Sequence, residues 1–159
     1  MEILVRFPKV ADEGPCARLA ALALGGKAAG PFVASHFREH RIVVAEAAGE
    51  VVGLLAWRTD WFACSFVDLA FVREDFRRRG IAREMFRAVE HLSPGPRLFS
   101  STEEDNAPSI RMHAALGFRP AGHVDHLPQG KRELLFFRRI PPKEGGGRPG
   151  GGGDGPVAG

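Results

Sequence analysis

Apolar residues follow two different spacings along this chain, and together the spacings predict a mixture of strands and helices. Short apolar runs that end at glycine, proline or charged residues predict strands, including a hairpin over residues 42–57 that turns at Gly49-Glu50. Farther along, Ile81, Met85 and Val89 recur at helical spacing and predict a helix. The predicted strands are residues 2–7, 42–47, 51–57, 65–72, 97–101, 118–124 and 131–140, and the predicted helices are residues 12–24, 31–40, 81–92 and 107–116.

Strands and helices alternate in the second half of the chain, which predicts an α/β (α+β) fold with a mixed sheet. Residues 1–140 are expected to form one domain. Residues 141–159, PPKEGGGRPGGGGDGPVAG, contain almost no apolar side chains. Burial cannot offset the entropy cost of ordering such a segment, so it is predicted to be a disordered tail.

Composition excludes several classes of protein and leaves others open. The formal net charge is +3, and the basic residues form no continuous stripe, so nucleic-acid binding is not expected. Cys16 and Cys64 lack metal or redox spacing, which favours two reduced thiols in a cytoplasmic protein. The sequence has no apolar run of membrane-spanning length and no signal-peptide core at its start, and His123-x-Asp125-His126 does not have metal-ligand spacing. We therefore expect no membrane partner, no metal and a cytoplasmic location.

The turn FRRRGIAR, residues 76–83, joins a predicted strand to a predicted helix. The start of a helix exposes unpaired N–H groups and the positive end of its dipole, and Gly80 lets a ligand approach the backbone. Arg77, Arg78 and Arg79 add fixed positive charge and bidentate donors. These features describe a phosphate site, and a solvated turn is the alternative. The spacing matches neither a P-loop nor a dinucleotide-binding glycine motif.

Two motifs of the chain resemble those of the GNAT superfamily of N-acetyltransferases. The first is Arg77-x-x-Gly80-x-Ala82 after the strand that ends at Val72, which is similar to the family's acetyl-CoA signature Q/R-x-x-G-x-G/A. The second is LFSSTEEDNAPSIRMHAALGF, residues 98–118, which resembles the family's next strand, its asparagine-led helix and the closing LGF. The resemblance implies a twisted, mixed but mostly antiparallel sheet of about six or seven strands with about four helices.

The resemblance also implies where acetyl-CoA, the co-substrate, is bound. The coenzyme would lie where the fourth and fifth strands splay apart, with its pantetheine along the fourth strand and its pyrophosphate on the helix N-terminus. Asn106 matches the asparagine that contacts the arm of the coenzyme in this family. The residues implied to bind acetyl-CoA are Phe71, Val72, Arg77, Arg78, Arg79, Gly80, Ile81, Ala82, Arg83 and Asn106.

Two residues are candidates for the proton transfers of acetyl transfer. Asp68 interrupts an apolar strand, where alternation is expected to put it on one face with Phe66, Ala70 and Val72. It is either the base or amine-binding carboxylate, or the structural partner of an arginine. His113 occupies the position where the family usually has a tyrosine acid, and the chain contains no tyrosine. His113 is therefore either a proton donor or a helix residue that lines the coenzyme channel.

The acceptor is not encoded in a readable motif. WRTDWF, residues 57–62, is expected to link the third and fourth strands, where its aromatic residues either line an acceptor pocket or cover the end of the sheet. The first function hypothesis is transfer to a primary amine of a small molecule or amino acid derivative. The alternatives are transfer to a protein N-terminus or lysine, and a non-catalytic acyl-CoA sensor. A homodimer through the last strands is also left open.

Overall fold

Within residues 2–143, the part of the chain that the computed structural model describes, seven strands form one sheet with α-helices on both faces. The strands are β1 (Ile3–Arg6), β2 (Ile42–Ala47), β3 (Glu50–Trp61), β4 (Cys64–Val72), β5 (Arg97–Glu103), β6 (Arg119–Val124) and β7 (Glu133–Arg139). The helices are α1 (Glu13–Leu24), α2 (Gly26–Arg38), α3 (Ile81–Leu92) and α4 (Ala107–Ala115). Apart from residues 141–143, the predicted tail lies outside the described residues.

The sheet has the strand order β1-β2-β3-β4-β5-β7-β6, and its pairings are antiparallel except between β4 and β5. The parallel pairing of β4 with β5 joins residues 65–67 to residues 98–100. Beyond this short ladder, β4 continues to Val72 and β5 to Glu103, so the two strands separate. The predicted mixed, mostly antiparallel sheet with four helices is confirmed.

The sheet buries a separate core on each face. On the first face, α3 and α4 cover apolar residues of the central strands, because Met85, Phe86 and Val89 turn the apolar stripe of α3 toward the sheet. On the second face, α1 and α2 pack Leu19 and Val33 against β2 and β3. On this second face α1 contacts β3 and β4, while α2 packs against α1 and reaches β4 through His36. No helix among the described residues is long and apolar enough to cross a membrane.

Two predicted boundaries are wrong, each for a tertiary reason. α2 begins at Gly26 and not at Pro31, because Gly25, with a φ of 84°, separates it from α1 and burial of Val33 holds the helix through the proline. β3 continues to Trp61, so WRTDWF belongs mainly to a strand and the chain turns at Phe62-Ala63 with φ values of 48° and 58°.

Asp12 stands at the N-cap position of α1, but its side chain makes no capping hydrogen bond to that helix. Its carboxylate accepts hydrogen bonds from the Lys9 backbone N–H at 2.6 Å and from Arg6 Nη1 at 2.7 Å. The side chain thus closes a short 3₁₀ turn, Val10–Asp12, and attaches it to β1 before α1 begins. The Arg6 guanidinium, through this hydrogen bond, outweighs the effect of burial and lowers the pKa of Asp12.

Candidate active site

The connection between β4 and α3 forms a turn whose arginines have different roles. Arg77 Nε donates to the Val72 carbonyl at 3.0 Å, and its guanidinium lies 5.5 Å from the ring centroid of Phe71. This contact fixes the turn to the end of β4. Arg79 lies over Phe76 at 5.0 Å from the ring centroid, so it too packs against the turn. Arg77 and Arg79 therefore shape the connection, whatever they contact in a complex.

The start of α3 is open and positively polarised. Gly80 is the N-cap with a φ of 76°, and it provides no side chain to cap the helix. The Glu84 N–H makes the first helical bond to Gly80, so the N–H groups of residues 81–83 have no partner within the helix. A Cβ placed on Gly80 would meet no atom within 4 Å. The start of α3 therefore has open space at Gly80, and the side chains of Arg78 and Arg83 close to it in sequence are exposed.

Asn106 begins α4 as the sequence predicts. Its Oδ1 accepts a hydrogen bond from the Ser109 backbone N–H at 3.2 Å, and Pro108 occupies the first turn. The carbonyl oxygen of the side chain is thus used within the helix, while its amide nitrogen is the group left for a ligand. Contact of Asn106 with the arm of coenzyme A stays a prediction.

A β-bulge carries Asp68 out of the ladder between β3 and β4. Ala56 pairs with Leu69 and the next residue, Trp57, pairs with Val67, so Asp68 is the extra residue on β4. The bulge lies directly after Val67, where the pairing of β4 with β5 also ends. Asp68 therefore occupies the point at which β4 separates from β5.

The bulge also changes the direction of the side chains, which makes the predicted face wrong. Ala70 and Val72 pack in the core under α3, but Asp68 contacts a residue of α2 on the opposite face. A period of two assumes an unbroken ladder, and the extra residue shifts every later side chain by one position. Asp68 and Phe66 share the second face, and Ala70 and Val72 do not.

The partner of Asp68 is His36 of α2, not the arginine considered as the structural alternative. His36 Nε2 lies 2.7 Å from Asp68 Oδ2, and His36 Nδ1 lies 2.9 Å from the carbonyl oxygen of Phe32. A carbonyl only accepts, so Nδ1 carries a proton, and a second proton is shared between Nε2 and the carboxylate. Burial lowers the pKa of His36, but its hydrogen bonds to Asp68 and Phe32 outweigh burial and raise it overall.

His113 is buried beneath α4, with 2% of its surface exposed. Nδ1 donates to the Ser109 carbonyl at 2.7 Å, Nε2 accepts from Ser100 Oγ at 2.8 Å, and the ring stacks on Phe136 at a centroid distance of 4.5 Å. Burial lowers the pKa of the imidazole and keeps it neutral. These contacts favour a structural role, and proton donation by His113 stays a prediction.

We expect the His113→Ala variant to lose about 2 kcal/mol or more of unfolding free energy, because it leaves a cavity and an unpaired Ser100 hydroxyl. Folding lowers the pKa of His113 from 6.5, so the unfolded chain binds this proton more readily as the pH falls. Below about pH 6.5 the wild type therefore loses the part of its unfolding free energy that the neutral His113 contributes. The difference in unfolding free energy between wild type and variant is larger at about pH 8 than at about pH 5.5. Urea unfolding at both pH values measures the difference.

The control for this variant is His123→Ala, since the His123 side chain is 46% exposed. That control is expected to unfold like the wild type at both pH values. Unchanged stability of His113→Ala, together with a displaced basic limb in the pH profile of turnover, would contradict the structural role and identify His113 as the proton donor.

Aromatic side chains line the second face of the sheet beside the bulge. Trp61 lies 5.0 Å from Phe66 and 4.9 Å from Phe99, and Phe99 lies 5.3 Å from Phe137, measured between ring centroids. We call Trp61, Phe66, Phe99 and Phe137 the aromatic strip. Trp57, in contrast, is buried in the core under α3 and belongs to no pocket. Trp61, near the end of WRTDWF, therefore covers the edge of the sheet. The aromatic strip leaves an apolar surface next to Asp68.

The model of the acetyltransferase (GNAT) family matches residues 16–118 of this chain. The chain belongs to the GNAT family. Two curated relatives, the L-methionine sulfoximine/L-methionine sulfone acetyltransferases of Pseudomonas paraeruginosa and Pseudomonas aeruginosa, are each 29% identical over 96 residues, which are 55% of this chain and 55% of theirs. The chain thus spans about half the length of the curated relatives it matches.

Solved GNAT structures share the fold. A GNAT-family acetyltransferase from Bacillus cereus is 25% identical with a TM-score of 0.82, over 89% of this chain and 100% of its own. Ard1 from Thermoplasma volcanium is 19% identical with a TM-score of 0.79, over 89% of this chain and 100% of its own. The yncA protein of Salmonella typhimurium, solved with acetyl-CoA, is 14% identical with a TM-score of 0.70, over 93% of this chain and 99% of its own.

In this GNAT chain the residues predicted to bind the coenzyme lie along one route. Phe71 and Val72 end β4, residues 77–83 form the turn and the start of α3, and Arg83 Nη2 contacts the Ala115 carbonyl at the end of α4 at 3.4 Å. His36 was missed by the sequence analysis, because its partner lies 32 residues away. Its position four residues after Phe32, on a helix with a buried face, was the only sequence signal.

Metal and thiol chemistry find no support in the described residues. Among residues 2–143, no three His, Cys, Asp or Glu side chains are grouped so that they could hold a metal ion. Cys16 and Cys64 are both free thiols, and burial raises the pKa of Cys16 to about 12. Cys16 is therefore a protonated core residue at neutral pH.

Proposed function

We propose that this chain is an N-acetyltransferase that transfers the acetyl group of acetyl-CoA directly to the primary amine of a small molecule or amino acid derivative. The observation that carries the proposal is the position of Asp68. The bulge holds this carboxylate, paired with His36, at the point where β4 separates from β5. Family membership supports the use of acetyl-CoA, and the carboxylate supplies what an amine acceptor requires.

The residues of the β4–α3 turn fit the phosphates of coenzyme A. The uncapped N–H groups of residues 81–83 and the exposed side chains of Arg78 and Arg83 offer donors and positive charge around the open space at Gly80. After Asp68 the edge of β4 toward β5 is unpaired, and it leads from this turn toward the carboxylate, which suits an extended pantetheine arm. Acetyl-CoA bound in this way would present its thioester close to Asp68.

Acetyl transfer then needs few groups from the protein. The acceptor amine must lose a proton before it attacks the thioester carbonyl, and Asp68 is either the proton acceptor or the group that binds the ammonium. A backbone N–H of β4 is expected to stabilise the negative charge on the carbonyl oxygen. A thioester close to Asp68 places this donor beside the bulge and not near Val72, which lies about 13 Å farther along the strand. The C–N bond forms, the C–S bond breaks, and coenzyme A departs as a thiolate with a thiol pKa of about 8.5. His113 stays a predicted acid for this last step.

The names of the curated relatives support a small acceptor. Both act on methionine sulfoximine and methionine sulfone, which are amino acid derivatives with a free amine. The aromatic strip beside Asp68 would suit the apolar part of such a molecule. A protein acceptor is the second candidate, because Phe62 is 82% exposed at the β3–β4 turn and offers an apolar contact outside the site.

The test is calorimetric titration with acetyl-CoA, followed by release of free thiol with a panel of acceptors. The panel contains amino acids, methionine sulfone, methionine sulfoximine, simple amines and short peptides. We expect saturable binding and thiol release that depends on a small amine. Thiol release with peptides alone would favour a protein acceptor over a small amine. Binding without release on any acceptor would favour the sensor, and a failure to bind would overturn the proposal.

A further inference from the structure

Glu133, at the start of β7, is a partly buried carboxylate without a cationic partner among the described residues. Its Oε1 accepts a hydrogen bond at 2.8 Å from Ser101 Oγ, a neutral hydroxyl. Burial raises the pKa of Glu133, and the negative charge of Glu103 adds to this effect, against the hydrogen bond from Ser101. Burial of a carboxylate is costly unless it is paired, so this residue has an unused capacity to bind a cation or a proton.

The strand register brings Glu133 to the same opening as Asp68. Phe66 of β4 pairs with Phe99 of β5, and both rings contact Trp61 on the second face of the sheet. Two residues farther along each strand, on this same face, are Asp68 and Ser101. The pairing of β4 with β5 has ended there, so the two residues lie on opposite sides of the opening between the strands.

Ser101 in turn connects the β5 side of the opening to β7. Glu133 accepts the hydrogen bond of the Ser101 hydroxyl and thereby lies on the same face as Phe99 and Phe137. One side of the opening therefore carries the Asp68–His36 pair, and the other carries the Glu133–Ser101 pair. α1 contacts β3 and β4, and α2 reaches β4 through His36. The side chains of His36 and Asp68 keep 13% and 18% of their surface exposed, and an acceptor would reach the pair through this exposed part.

The two carboxylates differ in the donors that already bind them. His36 Nδ1 donates to a backbone carbonyl, so the hydrogen bond between Nε2 and Asp68 already contains a shared proton. Asp68 Oδ2 is thus already occupied by a charged donor, and Asp68 Oδ1 can accept an N–H of the substrate ammonium. Glu133 has only a neutral donor and keeps its lone pairs available.

We propose that Glu133, held by Ser101, is the proton acceptor for the substrate amine, while Asp68 with His36 binds and orients that amine. This inference rests on the proposed acetyltransferase function. The ammonium of the acceptor gives one proton to the Glu133 carboxylate, and the neutral amine attacks the thioester carbonyl. The C–N bond forms as the C–S bond breaks, and the second proton of the amine leaves to the thiolate or to solvent.

The groups around Glu133 set the pH at which it acts. Glu103 lies opposite it on β5 and is bound to Lys131 at 3.5 Å, whereas β6 places the uncharged Val124 beside it. Asp68 and His36 lie on the β4 side of the same opening. Removing the charge of Glu103 would therefore lower the pKa of Glu133, and removing the carboxylate of Glu133 would eliminate the acidic limb that it causes.

The experiment compares the pH profiles of kcat/KM for Glu133→Gln, Glu133→Asp and Glu103→Gln with the profile of the wild type. At neutral pH, Glu133→Gln is expected to lose about 100-fold or more in kcat/KM, with its acidic limb removed and its affinity for acetyl-CoA unchanged. Glu133→Asp is expected to restore part of the rate. Glu103→Gln is expected to keep its activity and to move the acidic limb to lower pH.

The matched control is Asp125→Asn, which removes an exposed carboxylate bound to Arg132 outside this opening and is expected to behave as the wild type. A Glu133→Gln variant with the wild-type rate and acidic limb would overturn the inference and leave the acetyltransferase function intact. An unmoved limb in Glu103→Gln would also overturn it, even if Glu133→Gln failed to fold. Thiol release by no amine, with the wild type itself, would mean that the proposed function has failed as well.

Discussion

Replacing Gly80 by glutamate is expected to abolish measurable binding of acetyl-CoA while the domain stays folded. The new carboxylate would stand in the open space in front of the N–H groups of residues 81–83, where the pyrophosphate is predicted to bind. Repulsion between the two anions and loss of the close backbone approach should raise Kd by about 100-fold or more, since each 1.4 kcal/mol is tenfold. Calorimetric titration with acetyl-CoA measures this loss.

The structure offers a matched control for the backbone strain of this substitution. Gly49, in the turn between β2 and β3, has a φ of 78°, close to the 76° of Gly80, and a Cβ there also meets no atom within 4 Å. Gly49→Glu therefore adds the same charge and a similar strain, about 1–2 kcal/mol, away from the predicted site. Normal acetyl-CoA affinity in Gly80→Glu would mean that the arginine-glycine turn does not hold the coenzyme.

The elements with a strong local pattern were predictable from the sequence. The apolar stripe of α3 and the hairpin around Gly49 depend on residues close together in the chain, and both appear where the pattern placed them. The arginine-glycine turn could also be predicted, because a strand end, a glycine and a helix start are adjacent in sequence. The positive φ of Gly80 agrees with the reason for a glycine at that position.

The candidate site could be predicted only in part, because its decisive features depend on pairing between distant segments. The bulge at Asp68 results from the register of β4 against β3, and no residue close to Asp68 in sequence predicts it. The contacts of Asp68 with His36 and of Ser101 with Glu133 each join residues 32 positions apart. The sequence analysis therefore identified one carboxylate of the opening and missed His36, Ser101 and Glu133, to which the proposals give a role.

His113 illustrates a different case, in which a motif position suggested a chemical role before the surroundings of the residue were known. Sequence alone aligned it with a tyrosine acid, and a histidine has a suitable pKa when exposed. Burial against Phe136 and the bonds to Ser100 and Ser109 change that environment. A titratable residue acquires its role from its surroundings, which only the fold supplies.

Replacing Asp68 by asparagine is expected to lower kcat by about 100-fold or more and to change the affinity for acetyl-CoA by less than about twofold. The amide keeps the shape of the side chain, but it carries no charge to bind an ammonium, and the proton shared with His36 is lost. Steady-state kinetics with the best amine of the panel, together with titration of acetyl-CoA, separates the two effects.

The Asp68–His36 pair can be distinguished from a purely structural contact by a double-mutant cycle. If both residues act on the amine through their shared hydrogen bond, His36→Gln should add little to the kinetic defect of Asp68→Asn, and the two effects should be strongly non-additive in kcat. Asp60→Asn is the control, because it removes a carboxylate of β3 that is 65% exposed and bound to Arg58 on the same strand. Wild-type kcat in Asp68→Asn with a lowered melting temperature would make Asp68 structural. In that case Glu133, on the β5–β7 side of the opening, would be the carboxylate on which reaction of the acceptor amine depends.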